Sequence, residues 1–311
     1  MADGGAWRAT RAAAGEDGPA WARALEAEPW RDAARALKVD GDTRVLAATL
    51  RNRAVVLKFG HLGVRARAIK ARLGLSPADR NWAGAALLAA EGIPCARMLA
   101  LLAERPSPGT PPRQCLISAF EPGETLLHYA RLAHAGELAF RRQRRLARAV
   151  GLHVGCILAG DLYNRDSKPS NLIVRWDDDA PGDPARDIAD DAWPSLTVVD
   201  CQGVRRLVRK RAYRSMRMQA SLILEPMGLC MTPRRPHIAR TLRATMAAYA
   251  ARRYAGVPVE AALRLDLKAE HELLASIPER AIAGWHRIAE RIRVHGDPTP
   301  RVDPLAEPDL Q

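Results

Sequence analysis

The feature that most constrains this chain is the loop at residues 164–171, which reads NRDSKPSN and leads into the apolar run 172–174. Asp166 is followed five residues later by Asn171, so that a carboxylate and an amide stand at fixed spacing in front of a strand. In phosphoryl transfer such a carboxylate accepts the proton of the attacking hydroxyl, and the amide helps to hold a magnesium ion. Lys168 lies between them, where it can reach a phosphoryl group. The loop therefore predicts Asp166 and Lys168 as catalytic residues and Asn171 as a metal ligand.

A second carboxylate ends the next predicted strand. Residues 196–199 read LTVV and are followed by Asp200, with Gly203 completing the pattern D-x-x-G. The kinase metal motif is D-F-G, whose Asp binds magnesium. A carboxylate oxygen is the kind of hard ligand that this ion prefers. An isolated Asp at this place would be an ordinary turn residue, but its position downstream of Asp166 predicts a second metal ligand.

A lysine ends an earlier strand. Residues 54–58 read AVVLK, which is similar to the V-A-I-K strand whose lysine pairs with nucleotide phosphates. Lysine is rare here, because arginine supplies nearly all of the basic residues. The alternative for Lys58 is a strand-end residue whose ammonium group reaches water. Together with the two downstream motifs, the pattern predicts that Lys58 contacts the nucleotide.

The composition allows a large core and favours an anionic partner. The 311 residues are 48% hydrophobic, and the formal charge is +13. Heavy use of Arg and Ala can also reflect the nucleotide composition of the gene, which weakens the argument from charge. The sequence has no run of 18 apolar residues and no signal-peptide pattern, so we expect a cytoplasmic protein. Five cysteines without C-x-x-C spacing indicate neither a disulfide framework nor a zinc site.

The order of predicted elements indicates an α+β fold with two lobes, a small β-rich N-lobe and a mainly helical C-lobe. We expect a disordered N-terminus at residues 1–18, the N-lobe at 19–120, the C-lobe at 121–295 and a disordered tail at 296–311. The acidic stretch 175–194 separates the strands that carry Asn171 and Asp200, and it is interpreted as a solvated hairpin insertion.

Arranged in this way, the chain resembles the bacterial lipopolysaccharide kinases that phosphorylate Kdo or heptose in the core sugar, a branch of the protein-kinase-like fold. The resemblance covers residues 37–253. It rests on segments 76–82, 92–94, 152–153, 160–166 and 199–206. It implies transfer of the γ-phosphoryl group of ATP to a sugar hydroxyl, with Mg²⁺. The partners it implies are ATP, an anionic glycolipid substrate and, as a candidate, an anionic inner-membrane surface. The adenine would meet backbone groups of Ser118, Ala119, Phe120 and Glu121.

Three positions depart from the family pattern. Asn164 precedes Arg165 where the family has His, and Gln202 stands where an acid is frequent. The helix Glu that should pair with Lys58 corresponds to Asn81, since Asp79 faces another side of the helix. The missing Glu would leave Lys58 less well oriented.

Several alternatives remain open at this point. A RIO-like protein kinase or an aminoglycoside-type small-molecule phosphotransferase shares the Asp–Asn–Asp order, although no A-P-E segment follows and the acceptor region is basic. A pseudokinase scaffold would fit Asn81 and the single glycine, Gly41, of the phosphate loop. An anion- or nucleic-acid-binding protein would fit the charge, but aromatic residues for base stacking are few, so nucleic acid is not the expected partner. The basic segments 141–145 and 205–217 are interpreted mainly as solvated helix faces, except that Arg205 and Arg206 are expected near the cleft.

Overall fold

The computed structural model describes residues 6–40, 43–61, 73–105, 113–177, 192–207 and 235–276, with isolated residues between 218 and 231. The chain divides into two compact units. Residues 1–86, 95–121 and 200–202 make the first, here called the sheet unit. Residues 87–94, 122–199 and 203–311 make the second, the helical unit. The expected fold class is confirmed: an N-terminal β-rich region and a mainly helical C-terminal part, as in protein-kinase-like folds.

The sheet unit is built on a six-stranded antiparallel sheet with the order β1-β5-β6-β4-β3-β2. Its strands are β1 Trp7–Ala12, β2 Arg35–Asp40, β3 Thr43–Leu50, β4 Arg53–His61, β5 Met98–Glu104 and β6 Arg113–Ala119. Helix α1 spans Gly18–Glu26, and helix α2 spans Pro77–Ala90, with its last turn in the helical unit. The strand predicted to end at Lys58 is β4, which pairs with β3 and β6, so Lys58 lies in an interior strand of this sheet.

Residues 7–12 correct the expected disorder of residues 1–18. They form an edge strand that pairs antiparallel with β5. The Gly- and Ala-rich composition concealed the alternation in this segment, in which Trp7 is buried and Arg8 is exposed. The Trp7 ring packs edge-on against Phe59, and its backbone N–H donates to Glu26 Oε1 at 2.7 Å. Burial of one large ring fixes the strand, because an indole removes much apolar area from water.

Five complete helices of the helical unit lie in continuously described segments of the chain. They are α3 Leu126–Ala135, α4 Phe140–Ala159, α5 Arg235–Tyr254, α6 Val259–Ala262 and α7 Leu267–Ser276. Strands β7 Glu124–Thr125, β9 Leu172–Trp176 and β10 Pro194–Val198 form one small sheet, and β8 Leu162–Asn164 pairs with β11 Val204–Arg206. Residues 178–191 of the acidic stretch and the tail 296–311 lie outside the described residues. In the part of the chain that is described, no helix is both long and apolar enough to cross a membrane.

Helices α4 and α5 pack side by side in the same direction. A Cβ added to Gly151 would lie 2.2 Å from the carbonyl oxygen of Thr241, and one added to Gly155 would lie 2.4 Å from that of Thr245. The two glycines therefore allow the helix backbones to touch. The contact between α4 and α5 forms the centre of this unit.

His153 makes folding pH-dependent. Its side chain is 2% exposed, and neither ring nitrogen has a hydrogen-bond partner among the described residues. Burial lowers its pKa from 6.5 to about 4. The unfolded chain therefore binds the proton more tightly than the folded chain. The contribution of neutral His153 to the free energy of unfolding is complete above pH 6.5 and is lost as the pH falls towards 4. We expect the free energy of unfolding, measured by urea denaturation, to fall by on the order of 3 kcal/mol as the pH is lowered across this window. His153→Leu should remove that part of the pH dependence, and an unchanged slope in the variant would contradict this assignment.

Candidate active site

The sheet unit holds a cluster of Lys58, Asn81 and Asp200, here called the lysine cluster. Lys58 lies on β4, where its backbone pairs with Leu116 of β6 on one side and Val45 of β3 on the other. Its Nζ donates to Asp200 Oδ2 at 2.6 Å, with the two side chains 27% and 24% exposed. The ion pair is thus partly desolvated, and its lysine is held by strands on both sides. The structure therefore brings together two residues that the sequence predicted from motifs far apart in the chain.

Asn81 occupies the helix position at which the family resemblance implies a Glu, but it serves Asp200 rather than Lys58. Its Nδ2 donates to Asp200 Oδ1 at 3.0 Å, and its Oδ1 accepts the Cys201 N–H at 3.0 Å. Gln202 N–H also donates to Asp200 Oδ1, at 3.3 Å. A Glu in this 2% exposed position would bring a second carboxylate against Asp200. Asn81 therefore fits an arrangement in which Asp200 itself orients Lys58.

The neighbouring acid Asp79 stabilises the start of α2. Ser76 Oγ donates to Asp79 Oδ2 at 2.6 Å, and Asp79 N–H donates back to Ser76 Oγ at 3.0 Å. This reciprocal pair resembles a capping box and fixes the start of α2. Arg11 also pairs with Asp79, at 3.3 Å. Asp79 therefore positions the helix that carries Asn81, which agrees with the expectation that it faces away from Lys58.

Cys201 is not an exposed thiol. It is fully buried, and its pKa is raised by a side-chain hydrogen bond with Cys95, by burial and by the adjacent Asp200 carboxylate. The thiol therefore stays neutral beside Asp200.

The helical unit holds the catalytic loop, residues 164–171, and Asn164 anchors it. Asn164 is 1% exposed, and its Oδ1 accepts the Asp166 N–H at 3.0 Å. Arg165 N–H donates to Gly203 O at 3.1 Å, and a Cβ on Gly203 would lie 2.6 Å from Asn164 Oδ1. The glycine of the D-x-x-G pattern is thus required by the close approach of the loop. Asn164, although it is not the His of the family pattern, fixes the backbone at Asp166.

Asp166, Lys168 and Asn171, the residues predicted from this loop, contact one another. Lys168 Nζ pairs with Asp166 Oδ1 at 2.8 Å, and Asn171 Nδ2 donates to Asp166 O at 3.0 Å and to Asp166 Oδ2 at 3.3 Å. Because its amide nitrogen faces Asp166, Asn171 has its amide oxygen left as the atom for a cation. Val199 N–H donates to Asn171 O at 3.0 Å and ties the loop to the strand that precedes Asp200.

Sequence reasoning missed Glu225, which supports the same loop. Its two carboxylate oxygens accept the Ser170 N–H at 2.7 Å and the Ser170 hydroxyl at 2.5 Å. Ser170 lies between Lys168 and Asn171, so this carboxylate braces the turn that carries both. One signal could have found it, since Glu225 is one of only two acids between residues 204 and 260.

The expected adenine segment comprises the end of β6 and the residues after it. Ala119 N–H donates to Arg97 O at 2.8 Å, and Phe120 N–H donates to Ala54 O at 3.1 Å. Ser118 pairs with Met98 on β5 and with Val56 on β4. These two N–H groups therefore already donate hydrogen bonds within the sheet unit. A nucleotide base would have to use carbonyl groups of this segment or the backbone of Glu121.

Arg205 and Arg206 lie on β11, which pairs with β8 immediately before the catalytic loop, and both are exposed. The rest of the basic run, residues 208–217, lies outside the described residues.

The metal ligands proposed from the sequence are one amide and one carboxylate. No group of three or more His, Cys, Asp and Glu side chains that could hold a metal ion occurs within the described ranges. The oxygen donors of Asn171 and Asp200 nevertheless suit Mg²⁺, which binds through one or two protein ligands and completes its shell with phosphate and water. The donor chemistry therefore fits magnesium.

The β-rich N-terminal region and the mainly helical C-terminal part are consistent with a kinase-like two-lobed fold. A scan against protein-family models and a search of curated proteins both find no match. Among solved structures, the chain is similar to one described as WaaP in complex with acyl carrier protein, at 18% identity and a TM-score of 0.47. That match covers 84% of this chain and 90% of the other.

Proposed function

We propose that this protein is an ATP-dependent phosphotransferase that transfers the γ-phosphoryl group to a sugar hydroxyl of the lipopolysaccharide core. The observation that carries the proposal is the catalytic loop, in which Lys168 and Asn171 both contact the Asp166 carboxylate. Phosphoryl transfer depends mainly on positioning and electrostatic stabilisation. The family resemblance in segments 76–82, 92–94, 152–153, 160–166 and 199–206 favours a sugar acceptor, and the lack of an A-P-E segment argues against a peptide acceptor.

Each residue has a defined role in this mechanism. Asp166 accepts the proton of the acceptor hydroxyl through the carboxylate that Asn171 orients. Lys168 moves from Asp166 to the phosphoryl oxygens as negative charge builds up there. Lys58 neutralises the nucleotide phosphates. Asn171 and Asp200 would hold Mg²⁺, which supplies positive charge against the phosphate oxygens when it is bound.

Glu225 acts through the loop rather than on the substrate. Its bidentate acceptance from Ser170 keeps the spacing between Lys168 and Asn171 constant. A carboxylate that accepts two hydrogen bonds from one residue restrains both the backbone and the side chain of that residue. Glu225 is therefore proposed as a positioning residue.

A second candidate is a nucleotide-binding pseudokinase. The observation that favours it is the full engagement of Asp200, whose oxygens accept from Lys58, Asn81 and Gln202. A metal ion has to compete with Lys58 for Oδ2. Nucleotide binding without turnover is the result that would select this candidate.

The test is transfer of label from γ-labelled ATP with Mg²⁺ into extracted lipopolysaccharide and, in parallel, into general protein. We expect label in the glycolipid from wild type and none from Asp166→Asn. Label in protein alone would favour a RIO-like kinase instead. ATP binding with no label in glycolipid, protein or a panel of aminoglycosides would contradict the phosphotransferase proposal and leave the pseudokinase.

A further inference from the structure

Strand β2 contains a β-bulge that changes the face on which its later side chains lie. Ala36 lies opposite Leu46 of β3, whereas Lys38 lies opposite Val45, the neighbouring residue of β3. Leu37 is therefore an extra residue in β2. In a regular ladder Leu37 would lie opposite Val45, and Lys38 would lie on the other face of the sheet, because successive side chains of a strand alternate.

The bulge places Lys38 in one cross-strand row with Lys58. Val45 lies opposite Lys38 on one side and opposite Lys58 of β4 on the other. Residues directly opposite each other in an antiparallel pair have their side chains on the same face, so the two lysines share a face across one valine. Neighbouring strands lie about 4.8 Å apart, so the backbones at the two lysines are about 10 Å apart. The two flexible side chains can therefore reach the same polyphosphate group.

Burial of apolar surface does not explain the bulge. Leu37 is 42% exposed and Val39 is 65% exposed, so neither apolar neighbour of Lys38 is packed as a result of it. Bulges are frequent next to functional sites, where they redirect a side chain. The side chain that this bulge redirects is an exposed lysine, which it moves to the face of the sheet that carries Lys58.

The turn after β2 is poorly suited to binding phosphate through its backbone. A glycine-rich loop that covers nucleotide phosphates has three glycines, in the pattern G-x-G-x-x-G. Residues 40–43 read DGDT, with one glycine between two aspartates. Carboxylates repel a polyphosphate, so a cation on the strand that leads into this turn supplies an attraction that the turn lacks.

We propose that Lys38 is a second phosphate-binding residue and makes this face of the sheet selective for nucleoside di- and triphosphates over the nucleoside. The inference rests on the proposed function, because it assumes a nucleotide ligand. Lys58 is paired with Asp200, and this pair has no net charge. Lys38 adds the positive charge that attracts a polyphosphate, and lysine binds phosphate as a compact point charge. Lys38 also interacts with another group of the protein, so phosphate has to draw it away, as it draws Lys58 from Asp200.

The experiment is calorimetric titration of the full chain with adenosine, ADP and ATP in the presence of Mg²⁺. In Lys38→Met the affinity for ADP and ATP should fall at least about tenfold, because hydrogen bonds to charged groups are among the stronger ones. The affinity for adenosine should stay the same. Lys38→Arg keeps the charge and should retain most of the wild-type affinity for ADP.

The matched control is Arg44→Gln, which removes one positive charge from the same pair of strands on the opposite face. Arg44 is exposed, and it lies opposite Phe59, the neighbour of Lys58 on β4. Its charge is separated from the Lys58 face by the sheet and is screened by solvent. The affinity for ADP should therefore be the same as in wild type.

A variant that moves the charge tests the role of the bulge. Lys38→Met/Val39→Lys keeps the net charge but transfers the lysine by one position, to the opposite face of β2. It should bind ADP as weakly as Lys38→Met does. Wild-type affinity in this double variant would show an effect of net charge alone and would overturn the proposal. Thermal unfolding of each variant separates loss of phosphate binding from loss of folding.

The outcomes distinguish this proposal from the proposed function. Unchanged affinity for ADP in Lys38→Met, or an equal loss of affinity for adenosine and ADP, would overturn the role of Lys38 and leave the phosphotransferase proposal standing. The expected pattern of binding in a protein that transfers no label would support the role of Lys38 and contradict phosphotransfer. If the wild-type protein bound none of the three ligands, both proposals would fail.

Discussion

Replacing Asp166 by Asn is expected to lower the rate of phosphoryl transfer about 1000-fold while nucleotide affinity stays within about twofold. The amide has the shape of the carboxylate, and its oxygen can still accept from Lys168 or Asn171. It cannot take the proton of the attacking hydroxyl. The loss should therefore fall on kcat, which single-turnover transfer from labelled ATP measures directly, and not on ATP binding, which calorimetry measures.

The matched control is Asp32→Asn, an equal change of charge and shape at an exposed carboxylate of the sheet unit. It should leave both kcat and nucleotide affinity unchanged. If Asp166→Asn retained more than about a tenth of the wild-type rate, Asp166 would not be the general base. The sugar-kinase proposal would then lose the residue on which it depends.

The part of the site that the sequence predicts well is local. Asp166, Lys168 and Asn171 lie within six consecutive residues, so their spacing alone brings them together once the turn forms. Asp200 and Lys58 were predicted from strand-end patterns that match known motifs. Their ion pair spans 142 positions, and its prediction needed the motif rather than any local propensity.

The features that escaped prediction depend on contacts between distant segments. Asn81 was taken as a missing Glu, because the sequence shows which residue is present but not that it bonds to Asp200 and to the Cys201 backbone. Glu225 reaches Ser170 from a segment with no motif of its own. The strand at residues 7–12 is stabilised by a single buried indole, a weak signal in a segment rich in Gly and Ala. In each case the partner, not the local pattern, determines the role.

Replacing Asp200 by Asn should abolish the effect of Mg²⁺ on nucleotide binding and reduce turnover at least about 1000-fold, since metal charge is worth several kcal/mol in such reactions. The amide keeps an oxygen for the hydrogen bonds from Asn81 and Gln202, so folding should persist. The carboxylate charge that holds Lys58 at 2.6 Å disappears, which frees the ammonium group for phosphate. Nucleotide binding without Mg²⁺ should therefore be equal to or tighter than in wild type.

Lys58→Met is the informative partner for this variant, because it removes the other half of the same ion pair. It should weaken nucleotide binding with and without Mg²⁺ but preserve the factor by which Mg²⁺ increases the nucleotide affinity. In Asp200→Asn, by contrast, the nucleotide affinity should be the same with and without Mg²⁺. Titration of a nucleotide with and without Mg²⁺ measures both effects without any need for turnover. If Mg²⁺ still tightened binding to the Asp200→Asn protein as it does for wild type, Asp200 would not be a metal ligand, and its pairing with Lys58 and Asn81 would be structural only.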